Sequence, residues 1–171
     1  MPGVEEGGRA WHARALVYRL TGAPADSITL MFSDASRWNA YALTSQDGGQ
    51  SWLSPELVVA PQASSEQIAF AAPAYDPTGN RLAAIWTCCV EGGWNDSVPS
   101  SHYLRWSTLG SGVWADPTPG QRVPLILGAR ASGETVTAQA RNARTTWVAW
   151  IEGGKAVEVR SFDLATVLPR P

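Results

Sequence analysis

Apolar and polar residues alternate along this chain in short runs, and no stretch of any length repeats apolar residues at the helical period of 3.6. Clusters of Gly, Pro, Asn and Asp separate the runs, as turns separate β-strands. The pattern predicts an all-β protein with twelve strands in three sets of four. The predicted strands are 13–20, 27–33, 39–44 and 55–60; 68–75, 81–87, 102–107 and 122–127; and 135–141, 145–151, 156–160 and a weaker one at 166–168.

The turn between the third and fourth predicted strands, residues 45–52, carries the most distinctive motif. It combines Ser45, Asp47, Gly49, Ser51 and Trp52. Short oxygen-bearing side chains bond backbone N–H groups across a bend, and glycine permits positive φ. Trp52 adds a large apolar surface, which predicts its burial against the same sheet. The spacing Ser-x-Asp-x-Gly-x-Ser-Trp resembles the Asp-box of the bacterial neuraminidase (BNR) repeat, found in sialidase-like β-propellers.

Two weaker copies of this motif follow in register. Ser107 stands 62 residues after Ser45 and is followed by Trp114, although the Asp is replaced. Ser161 stands 54 residues after Ser107 and is followed by Asp163, although the Trp is replaced. In the family that the motif resembles, each box marks one propeller blade and is structural. The alternative is three unrelated meanders in a β-sandwich.

The resemblance implies three four-stranded antiparallel blades, at about residues 10–60, 66–127 and 134–169. Trp86 and Trp150 occupy the same place in the second and third sets of strands, and with Trp147 they are expected in the core or in packing between blades. Propellers close with about 4–8 blades, because closure protects the exposed strand edges. Three blades would form an open arc, or half of a six-bladed propeller. The resemblance therefore also implies completion by another copy, by another chain or by missing blades.

Composition and net charge limit the classes of partner that the chain is expected to bind. With 171 residues and 44% hydrophobic residues, the chain can bury a sizeable core. A formal net charge of −2 without a basic run disfavours nucleic-acid binding. No apolar run reaches the ~18 residues that span a bilayer, and the first residues lack the features of a signal peptide. The residues leave the compartment unknown, while the family resemblance favours an extracellular or cell-surface location.

Catalysis by this chain is not favoured. Sialidases, as that family is known, grip the substrate carboxylate with three arginines and use a Tyr nucleophile, a Glu and an Asp. The arginines that could face a central channel are Arg14, Arg19, Arg81, Arg130 and Arg141, but none lies in a family motif. No catalytic residue is therefore assigned.

No cofactor or metal is predicted either. Cys88 and Cys89 are adjacent, and a disulfide between neighbouring residues is strained. Neither cysteine belongs to a CxxC or Cys/His spacing, and His12 and His102 lie far apart in the sequence. Two buried thiols are the expected outcome.

The long connection between the second and third strands of the second set is the candidate ligand site. Trp94 offers a flat apolar face to a sugar ring. The other candidates, which offer hydrogen-bonding groups, are Glu91, Asn95, Asp96, His102 and, from a neighbouring turn, Arg130. An insertion that packs over the sheet, with Trp94 covering the two cysteines, is the alternative. This connection is expected at the opposite end of the strands from the Asp-boxes.

The sequence thus favours a non-catalytic module for glycan recognition or assembly. One alternative is part or remnant of a sialidase-type glycoside hydrolase. Another is a structural subunit that assembles through open blade edges.

Overall fold

The structure, a computed structural model, describes residues 10–34, 38–62, 68–88, 100–119, 121–122, 124–129, 136–140, 143–152 and 156–168. Within these residues the protein is all-β, as predicted, and forms three antiparallel sheets of four, four and three strands. Sheet 1 contains β1 (Ala10–Tyr18), β2 (Ser27–Asp34), β3 (Ala40–Ser45) and β4 (Glu56–Val59). Sheet 2 contains β5 (Ile68–Asp76), β6 (Arg81–Cys88), β7 (Ser100–Thr108) and β8 (Pro124–Ala129). Sheet 3 contains β9 (Val136–Ala138), β10 (Thr145–Glu152) and β11 (Ala156–Asp163).

The strand predicted at residues 166–168 is wrong, because the chain there forms a short helix, α1 (Leu164–Val167). Asp163 caps the helix by accepting a hydrogen bond from the backbone N–H of Ala165 at 3.0 Å. Leu164 and Leu168 are buried and lie four residues apart, so one face of a helical turn carries both into the core. Sheet 3 therefore has three strands among the described residues.

Sheets 1 and 2 repeat the same strand register. Ser45 on β3 pairs with Ile28 on β2, and Ser107 on β7 pairs with Leu82 on β6. A one-residue shift in register occurs near the start of both β1 and β5, and a second pair of shifts occurs at the same step of β3 and β7. The two sheets are thus variants of one structural pattern.

Sheet 3 departs from this pattern by one residue. Ser161 pairs with Trp147, and Trp150 lies three residues beyond Trp147, whereas Trp86 lies four residues beyond Leu82. A one-residue difference moves a side chain to the opposite face of a sheet. The sequence match of Ser161 with Ser107 and that of Trp150 with Trp86 therefore cannot both hold. Burial favours the tryptophan match, because Trp150 and Trp86 are both buried.

Sheet 2 packs between the other two sheets. One core cluster joins it to sheet 1, where the rings of Tyr18 and Tyr75 stack at 4.4 Å between centroids, close to Trp86. A second cluster joins its opposite face to sheet 3 and contains Ile85 and Trp150. Both faces of sheet 2 are therefore covered by apolar packing.

A buried ion pair supports the turn between β5 and β6. Arg81 donates from Nη2 and Nε to Oδ2 of Asp76, at 2.6 and 3.1 Å. The backbone N–H groups of Thr78 and Gly79 donate to the same carboxylate. The guanidinium also lies 5.6 Å from the ring centroid of Trp106. The turn and its neighbouring strands thus supply these contacts of the pair.

A side chain at position 79 should break this arrangement. A Cβ there would overlap the Arg81 guanidinium and lie 2.9 Å from Oδ2 of Asp76. We expect Gly79→Ala to lower the free energy of unfolding by about 3 kcal/mol, because it separates a buried ion pair. Chemical denaturation provides the measurement, with Thr78→Ala as the neighbouring control. Equal stability of Gly79→Ala and the wild type would show that the pair does not hold the turn.

Tyr18 should make the fold sensitive to alkali. Burial raises its pKa to about 12, although its hydroxyl hydrogen-bonds Thr29 at 3.1 Å. Since the folded pKa exceeds the unfolded value of about 10, this stabilisation is complete below pH 10 and is lost as the pH rises towards 12. We expect Tyr18→Phe to cost about 1 kcal/mol at pH 7 and to flatten the dependence of Tm on pH between 10 and 12. An unchanged alkaline profile would contradict the assignment to Tyr18.

Candidate functional site

Residues 45–52, here called the first box turn, are closed by their own side chains. Ser45 donates its hydroxyl to Oδ1 of Asp47 at 2.7 Å and accepts a hydrogen bond from Gly49 N–H at 2.8 Å. Asp47 also accepts from the backbone N–H of Ser51 at 2.9 Å and from the Ser51 hydroxyl at 2.5 Å. Gly48 and Gly49 have φ values of 73° and 93°, which favour glycine. The turn is thus a self-contained hydrogen-bonded unit.

These hydrogen bonds keep Asp47 ionised. The Ser51 hydroxyl, then the Ser51 backbone N–H and the Ser45 hydroxyl, lower the pKa of Asp47 to about 2. Its acceptor capacity is used within the turn, which fits a structural role. The backbone N–H of Gly48 also donates to the carbonyl of Asp26 at 2.9 Å, so this turn and the turn between β1 and β2 lie at the same end of sheet 1.

The tryptophans that end the first two copies of the motif differ in burial. Trp52 is 37% exposed, so the expectation that it would be buried against its own sheet is wrong. Trp114 is buried, and its Nε1 donates to Glu56 on β4 at 3.1 Å. Trp114 therefore joins sheet 2 to sheet 1.

The second copy of the motif closes its turn without the aspartate. Ser107 and Ser111 hydrogen-bond through their hydroxyls at 3.1 Å, and Ser111 accepts from the backbone N–H of Val113 at 3.2 Å. Leu109 occupies the aspartate position and packs against the core shared with sheet 1. A serine hydroxyl thus bonds a backbone N–H of the turn, as the carboxylate does in the first box turn.

The third copy has another local structure. Ser161 is exposed on β11. Asp163 caps α1 and forms an ion pair with Arg144 at 3.0 Å. Its carboxylate therefore supports a helix and not a turn of the first box type.

Most of the predicted ligand residues lie outside the described residues. These are Glu91, Trp94, Asn95, Asp96 and Arg130, whose proposed role stays a prediction. His102 is described and is fully buried on β7, with its ring 4.9 Å from that of Trp150. This burial between sheets 2 and 3 argues against direct contact with a ligand at the surface.

The three described arginines among those considered for a carboxylate grip make other contacts. Arg19 pairs with Asp26 at 2.7 Å, and Arg81 belongs to the buried pair with Asp76. Arg14 donates to the carbonyl of Ala13 at 3.0 Å, and the other two arginines lie outside the described residues.

The described part of the chain contains no group of three or more His, Cys, Asp and Glu side chains placed to hold a metal ion. Nor does it contain a helix long and apolar enough to cross a membrane.

An exposed apolar surface was missed by the sequence reasoning. Trp147, expected in the core, is 51% exposed, and Val157 is 71% exposed. Strand register places Trp147, Ala149 and Ile151 of β10 on one face, beside Val157 and Val159 of β11. We call this surface the outer face of sheet 3. The signal was the uninterrupted apolar run from Trp147 to Ile151, which is typical of a strand that is covered on both faces.

Comparison with known proteins supports the fold class. No family model matches the chain, and no curated protein compared with it is similar enough to count as a match. A crystal structure of an N-acetylgalactosamine deacetylase from F. plautii, in complex with blood group B trisaccharide, is similar with a TM-score of 0.55 and 16% identity. The similarity covers 91% of this chain and 50% of that chain, so this chain spans about half its length. At this identity the likeness shows the fold alone.

A second solved structure, from a study of two prolyl endopeptidases, matches with a TM-score of 0.28 and 12% identity. That match covers 88% of this chain and 28% of that chain, and its low score carries no argument about the fold. The described residues therefore form an all-β fold of three antiparallel sheets, and one structure similar to it is that of a carbohydrate-processing protein.

Removing the Asp47 carboxylate should loosen the first box turn. We expect Asp47→Ala to lower Tm by several degrees at pH 7, because Ser45 and Ser51 lose their shared acceptor. The folded pKa of about 2 lies below the unfolded value of about 3.9. The difference from wild type should therefore be complete above pH 4 and disappear as the pH falls to 2. Thermal melts at several pH values measure this effect, with exposed Gln50→Ala as the control; a difference independent of pH would contradict it.

Proposed function

We propose that this chain is a β-propeller-type module that recognises a glycan and is not itself catalytic. The observation that carries the proposal is the fold likeness over 91% of the chain to a protein whose structure holds blood group B trisaccharide. Fold alone does not determine function. The glycan assignment therefore combines this likeness with the tryptophan-bearing long connection in the sequence.

Three features support a propeller-type arrangement. Sheet 2 lies between sheets 1 and 3, so the sheets stack in chain order. Its first strand, β5, contacts the first strands of both neighbours, β1 and β9. Sheets 1 and 2 also share register, and their third and fourth strands are joined by turns that serine hydroxyls help to close. In a propeller, successive blades meet in this way around their first strands.

The proposed ligand-contacting residues are Trp94, Glu91, Asn95, Asp96 and Arg130. Their support is chemical, since an indole face suits a sugar ring and the polar side chains suit its hydroxyls. The strand ends that flank residues 89–99 pair with each other at the end of sheet 2 opposite to Thr108, where the second turn begins. Ligand binding and turn closure are therefore proposed for opposite ends of the sheet.

A glycan array that includes blood group B trisaccharide tests the proposal directly. We expect Trp94→Ala to weaken binding about tenfold or more, because a stacked ring contributes about 1.4 kcal/mol. Trp52→Ala is the matched control, since Trp52 is a partly exposed tryptophan at the other end of its sheet. Absence of binding to every glycan would overturn the proposed function, and unchanged binding by Trp94→Ala would remove the long connection from it. Hydrolysis of a sialoside by the purified chain would contradict the non-catalytic role.

A further inference from the structure

Sheet 1 also has an apolar outer face. Strand register places the members of this surface on the side opposite to sheet 2; they are Val17, Ile28, Leu30, Phe32, Tyr41, Leu43 and Leu57. Leu57 is 50% exposed, and the residues at the centre of the face are partly exposed. None of these side chains carries a charge at neutral pH, and Asp34 lies at the edge of the same face, where β2 ends.

The outer face of sheet 1 repeats a surface that is buried elsewhere in the same molecule. Phe32 and Tyr41 stack with centroids 5.8 Å apart and an interplanar angle of 24°. Trp86 and Tyr103 occupy the matching positions of sheet 2 and stack with the same distance and angle. Trp86 is fully buried in the cluster shared with sheet 1. In sheet 2, the face that carries this aromatic pair is therefore covered by a neighbouring sheet.

The outer face of sheet 3 offers a complementary partner. Trp147, Ala149, Ile151, Val157 and Val159 make it apolar, with Thr145, Ser161 and Asp163 at one end of the same face, and it lies at the other end of the stack of sheets. The face of sheet 1 that covers Trp86 contributes Met31, Ala40 and Ala42 to the shared apolar core, beside buried hydroxyl side chains such as Thr29. One molecule thus carries, at its two ends, the two kinds of surface that meet inside it.

We propose that a second copy of this chain docks head to tail, with the outer face of sheet 3 in one copy covering the outer face of sheet 1 in the other. The reciprocal contact closes two copies into a ring of six sheets. This inference rests on the propeller-type arrangement proposed above and names its completing partner. Two different faces form a heterologous contact, and closure satisfies both faces of each copy. The ring removes from water two apolar surfaces of a kind that monomeric proteins rarely expose.

Opposite charges placed on the two faces test the proposal. We expect the wild type to have twice the 18.3 kDa mass of one chain in sedimentation and light-scattering measurements. Leu43→Glu on sheet 1 and Val159→Lys on sheet 3 should each yield monomers, because each buries an unpaired charge in both contacts. An equimolar mixture of the two variants should recover a heterodimer, in which one contact is unchanged and the other pairs Glu with Lys.

Matched controls separate docking from general charge effects. Glu158→Lys changes charge on the opposite face of β11, and Gln50→Glu adds a negative charge at the exposed first box turn. Both should remain dimeric. Far-UV circular dichroism and thermal melts check that the variants fold, and Leu57→Glu, at a more exposed position, replaces Leu43→Glu if that variant does not.

A monomeric wild type would overturn the inference. A dimer that persists in both charged variants would also overturn it. So would a dimer that only one of the two variants dissociates, because that result indicates a symmetric contact between identical faces. Glycan binding measured on the same samples separates the two proposals. A monomer that binds glycan contradicts docking of a second copy and leaves the proposed function intact. A dimer that binds no glycan contradicts the proposed function and leaves the docking intact.

Discussion

Face-to-face packing of sheet 2 is the interaction on which the rest of the structure depends. Every described side chain of β6 from Arg81 to Thr87 is buried, with Trp86 facing sheet 1 and Ile85 facing sheet 3. A strand covered on both sides contributes its whole apolar surface to the core, and each fully buried large side chain stabilises by about 1.5–3 kcal/mol. Sheets 1 and 3 are therefore held by contacts with one central sheet.

Polar chemistry at the turns keeps this packing in register. The carboxylates of Asp47 and Asp76 each accept several hydrogen bonds within a single turn. Asp47 is partly exposed, and Asp76 is buried with Arg81. A slip of one residue in either hairpin would move Ala42 or Trp86 to the wrong face. The local turns and the distant core thus specify the same alignment of strands.

The sequence predicted the structure well where a residue pattern fits only one local structure. Alternation identified β2, and serine, aspartate and glycine identified the first box turn. The predictions were wrong where one sequence pattern fits two different structures. Leu164 and Leu168 suit a helical turn as well as a strand, and a motif match at Ser161 contains no information about the face on which a residue lies. For the ligand site, His102 was predicted to begin a strand at the edge of the long connection, whereas β7 begins two residues earlier, at Ser100, and buries His102.

The predicted burial of Trp147 was wrong for a more informative reason. Its strand has the composition of β6, and within one chain an apolar run of this kind predicts that both faces will be covered. The predicted burial was correct for Trp150, which meets sheet 2 together with Val148, and wrong for Trp147, whose face has no covering sheet among the described residues. Sequence patterns report the burial that a strand is suited to, whichever molecule supplies the cover. The difference between that expected burial and the burial found in one chain therefore locates a surface where a partner is to be sought, and it does so without reference to any binding motif.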